Sequence, residues 1–316
     1  MQDGQTEFPR APIFLAGPTA VGKSAVALAL AERIGGEIIS VDSMQVYCGL
    51  DLGTAKPSPA ERARVPHHLV DVVELTEAFD AAKFLRLAAL AVKDIQARGR
   101  VPIFCGGTGL YFKAWLSGLG EAPPADPQVR AELEAVPLPD LLIELSRRDP
   151  VTYERIDRQN PRRVIRALEV IRLTGQPYSA QRATWPSALG PRPSTLVTGF
   201  TREPADLRRR IETRVDGMFA GGLVEETRRL LARGLAQNPT AMQALGYRQV
   251  VEHLRGERGL AETVALVKTK TWQFARRQGT WFRRQLPVKW LSLSADTPVD
   301  QVVAELAREC GDAPDR

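Results

Sequence analysis

Eight residues, GPTAVGKS from Gly17 to Ser24, constrain this chain more than any other stretch. They satisfy the pattern G-x-x-x-x-G-K-[ST] at every fixed position, with the apolar run "PIFLA" before them and the helical pattern "KSAVALALAERIGG" after. Such a loop works through backbone N–H groups that converge on phosphate oxygens at a helix N-terminus. It therefore needs a buried strand that runs straight into a helix. The reading is an α/β fold with a parallel sheet covered by helices, and a ligand carrying two or three phosphates. Gly17, Pro18, Thr19, Ala20, Val21 and Gly22 form the cradle. Lys23 brings a point charge, and Ser24 offers its hydroxyl to Mg2+.

The remaining pattern agrees with a parallel sheet. "GEIISVDS", "HHLVDVVEL" and "VPIFCGG" read as strands, and "DAAKFLRLAALAVKDIQARGR" has helical periodicity. Strands alternating with helices point to a sheet covered on both faces. From Leu119 to Arg192 no strand pattern occurs, and "LPDLLIELSRRDP" and "RRVIRALEVIRLTG" are the best helices. "STLVTGF" then returns the chain to the sheet, a helix-rich block follows, and "VKWLSL" is a last strand. The expected organisation is a flexible terminus at 1–10, a P-loop core at 11–118 and 193–294, a smaller all-helical insertion domain at 119–192, and a C-terminal tail at 295–316.

Charge distribution says more than the net charge of +6. Between Glu262 and Asp296 there is no acid, yet Lys268, Lys270, Arg276, Arg277, Arg283, Arg284 and Lys289 lie in that interval. A second basic run, "RIDRQNPRRVIRALEVIR", lies in the insertion. Solvated helix faces usually mix signs more evenly, so runs this strongly basic point to a nucleic-acid partner. No apolar run reaches the roughly 18 residues of a membrane span. The opening "MQDGQTEFPR" has no hydrophobic signal region, and the three cysteines lack metal or redox spacing. The expected setting is the cytoplasm.

Two strand ends offer chemistry. Asp42, closing "IISVDS", is the lone acid where a nucleotide hydrolase would place a metal-holding carboxylate, and "FCGGTG" has none. Asp42 is thus open to a role as base or recognition group. In "GGTGLY", Gly106 to Tyr111, glycines let the backbone approach a ligand closely and Thr108 adds a hydroxyl. In the last long helix Trp272, Ala275, Gly279 and Phe282 form a core-facing stripe, with Arg276, Thr280, Arg283 and Arg284 off it. From these residues alone a small-molecule kinase, a nucleotide hydrolase and a non-catalytic RNA-binding module stay open beside a group-transfer enzyme.

Seven segments narrow the choice: "GPTAVGKS", "ISVDSMQVYCGLDLGTAKP", "PHHLVDV", "GGTGLYFKA", "RALEVIRLTG", "ALGYRQ" and "RRQGTWFR". Together and in this order they resemble the tRNA dimethylallyltransferases of bacterial type. The resemblance implies a monomeric prenyltransferase that moves a dimethylallyl group from dimethylallyl diphosphate to the N6 amine of an adenosine. That adenosine lies 3′ of the anticodon in tRNAs reading codons that begin with U. It further implies that the nucleotide-binding (ATP-binding) type of loop grips an isoprenoid diphosphate, that Mg2+ assists, and that Asp42, Thr108 and Arg214, with Arg210 as the alternative arginine, serve the reaction.

By the same resemblance, contacts to the tRNA anticodon stem-loop fall on Asp42, Ser43, Met44, Gln45 and Thr108 around the extruded base. Others fall on Arg130 and on Arg162, Arg163, Val164, Ile165 and Arg166 in the insertion. The rest are Gln243, Ala244, Leu245, Gly246, Tyr247 and Arg248, and Arg276, Arg277, Gln278, Gly279, Thr280, Trp281, Phe282 and Arg283. Free adenine nucleotides are the rival acceptor, and the two basic segments argue for RNA. Pro161 replaces the acid usual in the family after the asparagine near Arg162, and the insertion is short.

Overall fold

Five runs of four to six residues and one histidine pair become the strands of one six-stranded sheet. They are β1 (Ile13–Ala16), β2 (Gly36–Val41), β3 (His67–His68), β4 (Val101–Gly106), β5 (Val197–Arg202) and β6 (Val288–Leu293). All neighbours pair in parallel, in the order β3-β2-β4-β1-β5-β6. The computed structural model describes residues 11–119, 122–181 and 197–309. The expected terminus 1–10, Cys310 and the end of the tail lie outside them.

β2, β4 and β1 are consecutive in the sheet, and their carboxyl ends lie level: Gly106 pairs with both Val41 and Ala16. The loops that follow these strands therefore leave the sheet side by side. In an open parallel sheet this is the edge where ligands bind.

The helices are α1 (Lys23–Ile34), α2 (Pro59–Arg64), α3 (Ala81–Ala97), α4 (Gly109–Ser117), α5 (Pro127–Glu134), α6 (Leu138–Arg148), α7 (Pro150–Arg155), α8 (Pro161–Thr174) and α9 (Tyr178–Gln181). After β5 come α10 (Pro204–Ala220), α11 (Leu223–Ala232), α12 (Tyr247–Leu254), α13 (Leu260–Gln285) and α14 (Val299–Glu309). None is long and apolar enough to cross a membrane among the described residues.

The chain divides into two compact units, 1–113 with 194–316, and 114–193. In the first, Leu15, Val26, Leu30, Ile34, Ile38, Ile103 and Phe200 join Val302, Val303 and Leu306 of α14 in one core. Each fully buried side chain of this kind contributes about 1.5–3 kcal/mol. The second unit is helical throughout its described residues. Its separate core joins Leu133, Leu141, Leu145, Val164, Leu168 and Ile171.

Three elements differ from the sequence reading. "HHLVDVVEL" gives only the two-residue β3, because Leu69 and Asp71 take left-handed backbone (φ 61° and 55°) and break the extended run. A helix, α2, lies just before it, between "GTAKPS" and β3, where the sequence reading places no element. Ser58 and Glu61 cap α2 reciprocally, in a signature visible in the sequence. The tail at 295–316 contributes α14, whose apolar face packs on α1.

Candidate active site

The loop between β1 and α1 is held open from outside. Arg210 Nε donates to the Ala20 carbonyl at 2.9 Å, and Arg202 Nε donates to the Val21 carbonyl at 2.7 Å. In a trans peptide the N–H points opposite to the C=O, and the described chain has no cis bond. The amides of Val21 and Gly22 are thereby turned away from the two guanidiniums, as an anion cradle requires. Ala20 pays for this shape with left-handed backbone at φ 63°, and Gly22 (φ 112°) opens α1 in the same region. Gly17 has no room for a side chain, since a Cβ there would lie 2.8 Å from the Phe200 carbonyl oxygen.

Lys23 points into this loop and is almost fully buried. Its ammonium donates to the Pro18 carbonyl at 2.6 Å. Burial pulls its pKa down to about 8, with Arg214 pushing the same way and Cys105 and Asp42 opposing. Burial also lifts the Cys105 thiol to about 11. Ser24, one residue on, is exposed.

The turns carrying Asp42 and Thr108 are tied together at the ends of the adjacent strands β2 and β4. Asp42 Oδ1 accepts from the backbone N–H of Met44 (2.8 Å) and Gln45 (3.2 Å), a local turn that fixes the carboxylate. The N–H of Ser43, between them, donates to Thr108 Oγ1 at 3.1 Å, and the Thr108 N–H donates to the Val41 carbonyl. Gln45 is engaged internally: it accepts from Ser40 and donates to the carbonyls of Thr54 and Ala55.

Arg214 belongs to the same cluster. Burial lowers its pKa, the Asp42 charge opposes that shift, and Arg210 adds to it. Its Nη2 donates to the Thr54 carbonyl at 3.4 Å. Of the two candidate arginines, Arg214 shares its surroundings with Asp42 and Lys23, whereas Arg210 braces the loop from outside. Among the described residues no group of three or more His, Cys, Asp or Glu side chains is arranged to hold a metal.

The loop with the G-x-x-x-x-G-K-[ST] pattern, a fixed aspartate and a threonine thus converge at the ends of three neighbouring strands. Residues 45–285 match the model of the IPP transferase family. The chain is 48% identical over 283 residues to a tRNA dimethylallyltransferase of Geobacter metallireducens, covering 88% of this chain and 91% of that one. It superposes on a full-length tRNA isopentenylpyrophosphate transferase of Bacillus halodurans with a TM-score of 0.69, at 38% identity and 96% coverage of both chains. A eukaryotic dimethylallyltransferase acting on tRNA matches with a TM-score of 0.80 at 25% identity, over 97% of this chain and 81% of that one.

The chain belongs to the tRNA dimethylallyltransferase family. It is a prenyltransferase by that membership.

The residues expected to touch RNA divide by exposure in this family member. In α13 Arg276, Arg277, Thr280 and Arg283 are exposed, and none of the three arginines has a carboxylate partner among the described residues. Ala275, Gly279 and Phe282 are buried, as the apolar stripe predicts. Gln278 is buried too, and Trp281 half-buried. Gln243 and Arg248 are exposed and Leu245 is half-buried, whereas Ala244, Gly246 and Tyr247 are buried. In the helical unit Arg162 and Arg163 are exposed at the start of α8, behind the Asn160 cap that makes Pro161 a suitable first residue. Val164 and Ile165 fill that unit's core. Arg166 and Arg130 both donate to the fully buried Glu169.

Buried polar groups were the part sequence reasoning missed. Glu226, 5% exposed, accepts from the backbone N–H of Asp51 and Leu52 and from the Tyr247 hydroxyl, and Gly53 N–H donates to the same hydroxyl. Burial raises the tyrosine pKa, and the Glu226 charge adds to the shift. This pair ties α11 and α12 to the loop whose Thr54 carbonyl receives Gln45 and Arg214. Lys56 completes it, donating to the Tyr47 carbonyl and to Asp51 and Asp71. Nothing in the sequence near Glu226 marks it as more than a helical acid.

Proposed function

We propose that this protein transfers the dimethylallyl group of dimethylallyl diphosphate to N6 of the adenosine 3′-adjacent to the anticodon, in tRNAs reading codons that begin with U, acting as a monomer in the cytoplasm. The observation that carries the reading is the hydrogen bond that ties Ser43, the neighbour of Asp42, to Thr108, beside a loop whose Lys23 and Arg214 both respond to the Asp42 charge. The names of the relatives above support the donor and acceptor classes.

The chemistry follows from these atoms. The C1–O bond of the donor breaks and its electron pair leaves with the diphosphate. Preorganised charge on the leaving group is the largest lever for such a step. The amides of Val21 and Gly22, the Lys23 ammonium and the Arg214 guanidinium supply it. A single exposed hydroxyl, Ser24, suits Mg2+, which takes few protein ligands and several oxygens from phosphates and water. Bound there, Mg2+ would add further positive charge beside the diphosphate.

The N6 lone pair forms the new bond to C1, and the amine loses a proton. Asp42 Oδ1 is already taken by two amides, so Oδ2 is the oxygen that accepts that proton. Thr108 Oγ1 accepts from Ser43, which leaves its hydroxyl hydrogen to donate toward substrate. A stacked adenine does not reach such a site, so the base is flipped out at a cost of a few kcal/mol. The exposed arginines of α13 and α8 hold the stem-loop by its phosphates.

Purified protein with Mg2+, dimethylallyl diphosphate and unmodified tRNA is expected to yield N6-(dimethylallyl)adenosine at that position, detected by mass spectrometry of nuclease digests. Asp42→Asn is expected to lower turnover by about 10²–10⁴-fold, the range for a positioned general base, with tRNA affinity unchanged. No transfer by the unaltered protein would reject the reading.

A further inference from the structure

Gln278 lies inside the segment "RRQGTWFR", whose arginines face solvent. Its side chain does not face solvent: it is 8% exposed and bridges two loops of the site. Its Oε1 accepts from the backbone N–H of Thr19 at 2.9 Å, and its Nε2 donates to the carbonyl of Gly107 at 2.9 Å. Thr19 belongs to the diphosphate cradle after β1. Gly107 precedes Thr108 in the loop after β4. One planar amide thus spans the donor half and the acceptor half of the site, from a residue 259 and 171 positions away in sequence.

The surrounding packing leaves this bridge little freedom. A Cβ on Gly107 would lie 2.3 Å from Gln278 Nε2, and one on Gly109 would lie 2.1 Å from the Trp281 ring. Phe282 meets Phe112 edge-on at 5.7 Å. Gly107 and Gly109 are therefore small because α13 lies against them, whereas Gly106 is closed in by the Val41 carbonyl of β2, and Gln278 is a polar contact in the α13 face. Its hydrogen bond also removes the Thr19 amide from those free to meet phosphate.

We propose that Gln278 is a positioning residue for the transfer step, setting the spacing between the diphosphate cradle and the Asp42–Thr108 pair, and that it does not contact RNA. The inference rests on the reaction proposed above. Bond formation between a carbon held by one loop and a nitrogen held by the other is sensitive to their separation. A displacement of about 1 Å can cost roughly 10²-fold in rate.

The test compares Gln278→Met and Gln278→Glu with the unaltered protein, using dimethylallyl diphosphate and an unmodified tRNA. Methionine keeps the length of the side chain and lacks both hydrogen bonds. It is expected to lower kcat by about 10–100-fold while tRNA Kd, measured without donor, stays within twofold. Glutamate keeps the acceptor for Thr19 and, once ionised, loses the donor to Gly107. Burial and the facing Gly107 carbonyl disfavour the ionised form and raise the pKa of this carboxyl well above the usual carboxylate range. Protonation restores the donor, so the activity of Gln278→Glu relative to the unaltered protein is expected to rise at least fivefold from pH 8 to pH 6. A merely structural side chain would not give that profile.

A rise in tRNA Kd with kcat at saturation unchanged would overturn the inference, as would an unchanged kcat in both variants. If Gln278→Met does not fold, as judged by its unfolding transition, the pH profile of Gln278→Glu decides alone. Absence of transfer by the unaltered protein would instead reject the reaction itself.

Discussion

Two helices carry the basic surfaces of this protein, and they are built differently on the inside. α8 opens with exposed Arg162 and Arg163, and its inward side chains Val164, Ile165, Leu168 and Ile171 close a core belonging to the helical unit alone. α13 exposes Arg276, Arg277 and Arg283, but its inward side chains Gln278, Trp281 and Phe282 are keyed into the loops of the candidate site. Outward pattern alone makes the pair look equivalent. The difference teaches that α13 joins exposed positive charge to the candidate-site loops in one element, while the exposed charge of α8 sits over an interior that is private.

The largest expected contrast comes from emptying each interior. Phe282→Ala removes a fully buried ring and should cost about 3–5 kcal/mol. Because Phe112 and the "GGTG" loop lose their support, affinity for dimethylallyl diphosphate should fall by more than fivefold in the molecules that remain folded. Leu168→Ala should cost about 2–5 kcal/mol in the helical unit, with donor affinity within twofold. Calorimetric unfolding with donor titration measures both. Equal losses of donor affinity would erase the distinction.

Next in size is the effect of reversing charge outside. Changing Arg276 and Arg283 to Glu, or Arg162 and Arg163 to Glu, should weaken tRNA binding and flatten its salt dependence by about 0.7 in slope for each phosphate no longer neutralised. The α8 pair should leave kcat at saturating tRNA unchanged. A lower kcat for the α8 variant would show that its interior is not private after all.

How much of this was legible depended on the range over which each signal acts. Strands β1, β2, β4, β5 and β6 are short apolar runs between turn residues, so neighbouring residues suffice to place them. The apolar stripe of α13 was legible for the same reason. β3 was over-read because Leu69 and Asp71 take left-handed backbone, which the composition of the run does not announce. The α14 pattern, Val299, Val302, Val303 and Leu306, is plain once sought. The glycines of "GGTG" read as room for a ligand; the bodies that crowd them within the chain are Val41 at Gly106, Gln278 at Gly107 and Trp281 at Gly109. Gln278 and Glu226 left no local trace, since a polar residue on a helix reads as surface until its distant partners are known.

The smallest contrast separates the two kinds of cation. Arginines do not titrate in the accessible range, so the outer surfaces of α8 and α13 keep their charge at high pH. Lys23 differs because burial, with Arg214 beside it, brings its ammonium to about pKa 8. The sign follows from which form binds: the ammonium attracts the diphosphate and the neutral amine does not. Affinity for dimethylallyl diphosphate, measured without metal, should be constant below pH 7 and fall about tenfold between pH 7 and pH 9, as the protonated fraction drops from about nine-tenths to about one-tenth. Over the same interval tRNA affinity should change by less than twofold. Lys23→Arg should flatten the donor profile, because a guanidinium in that place stays charged; a profile that keeps its slope would assign the titration to another group.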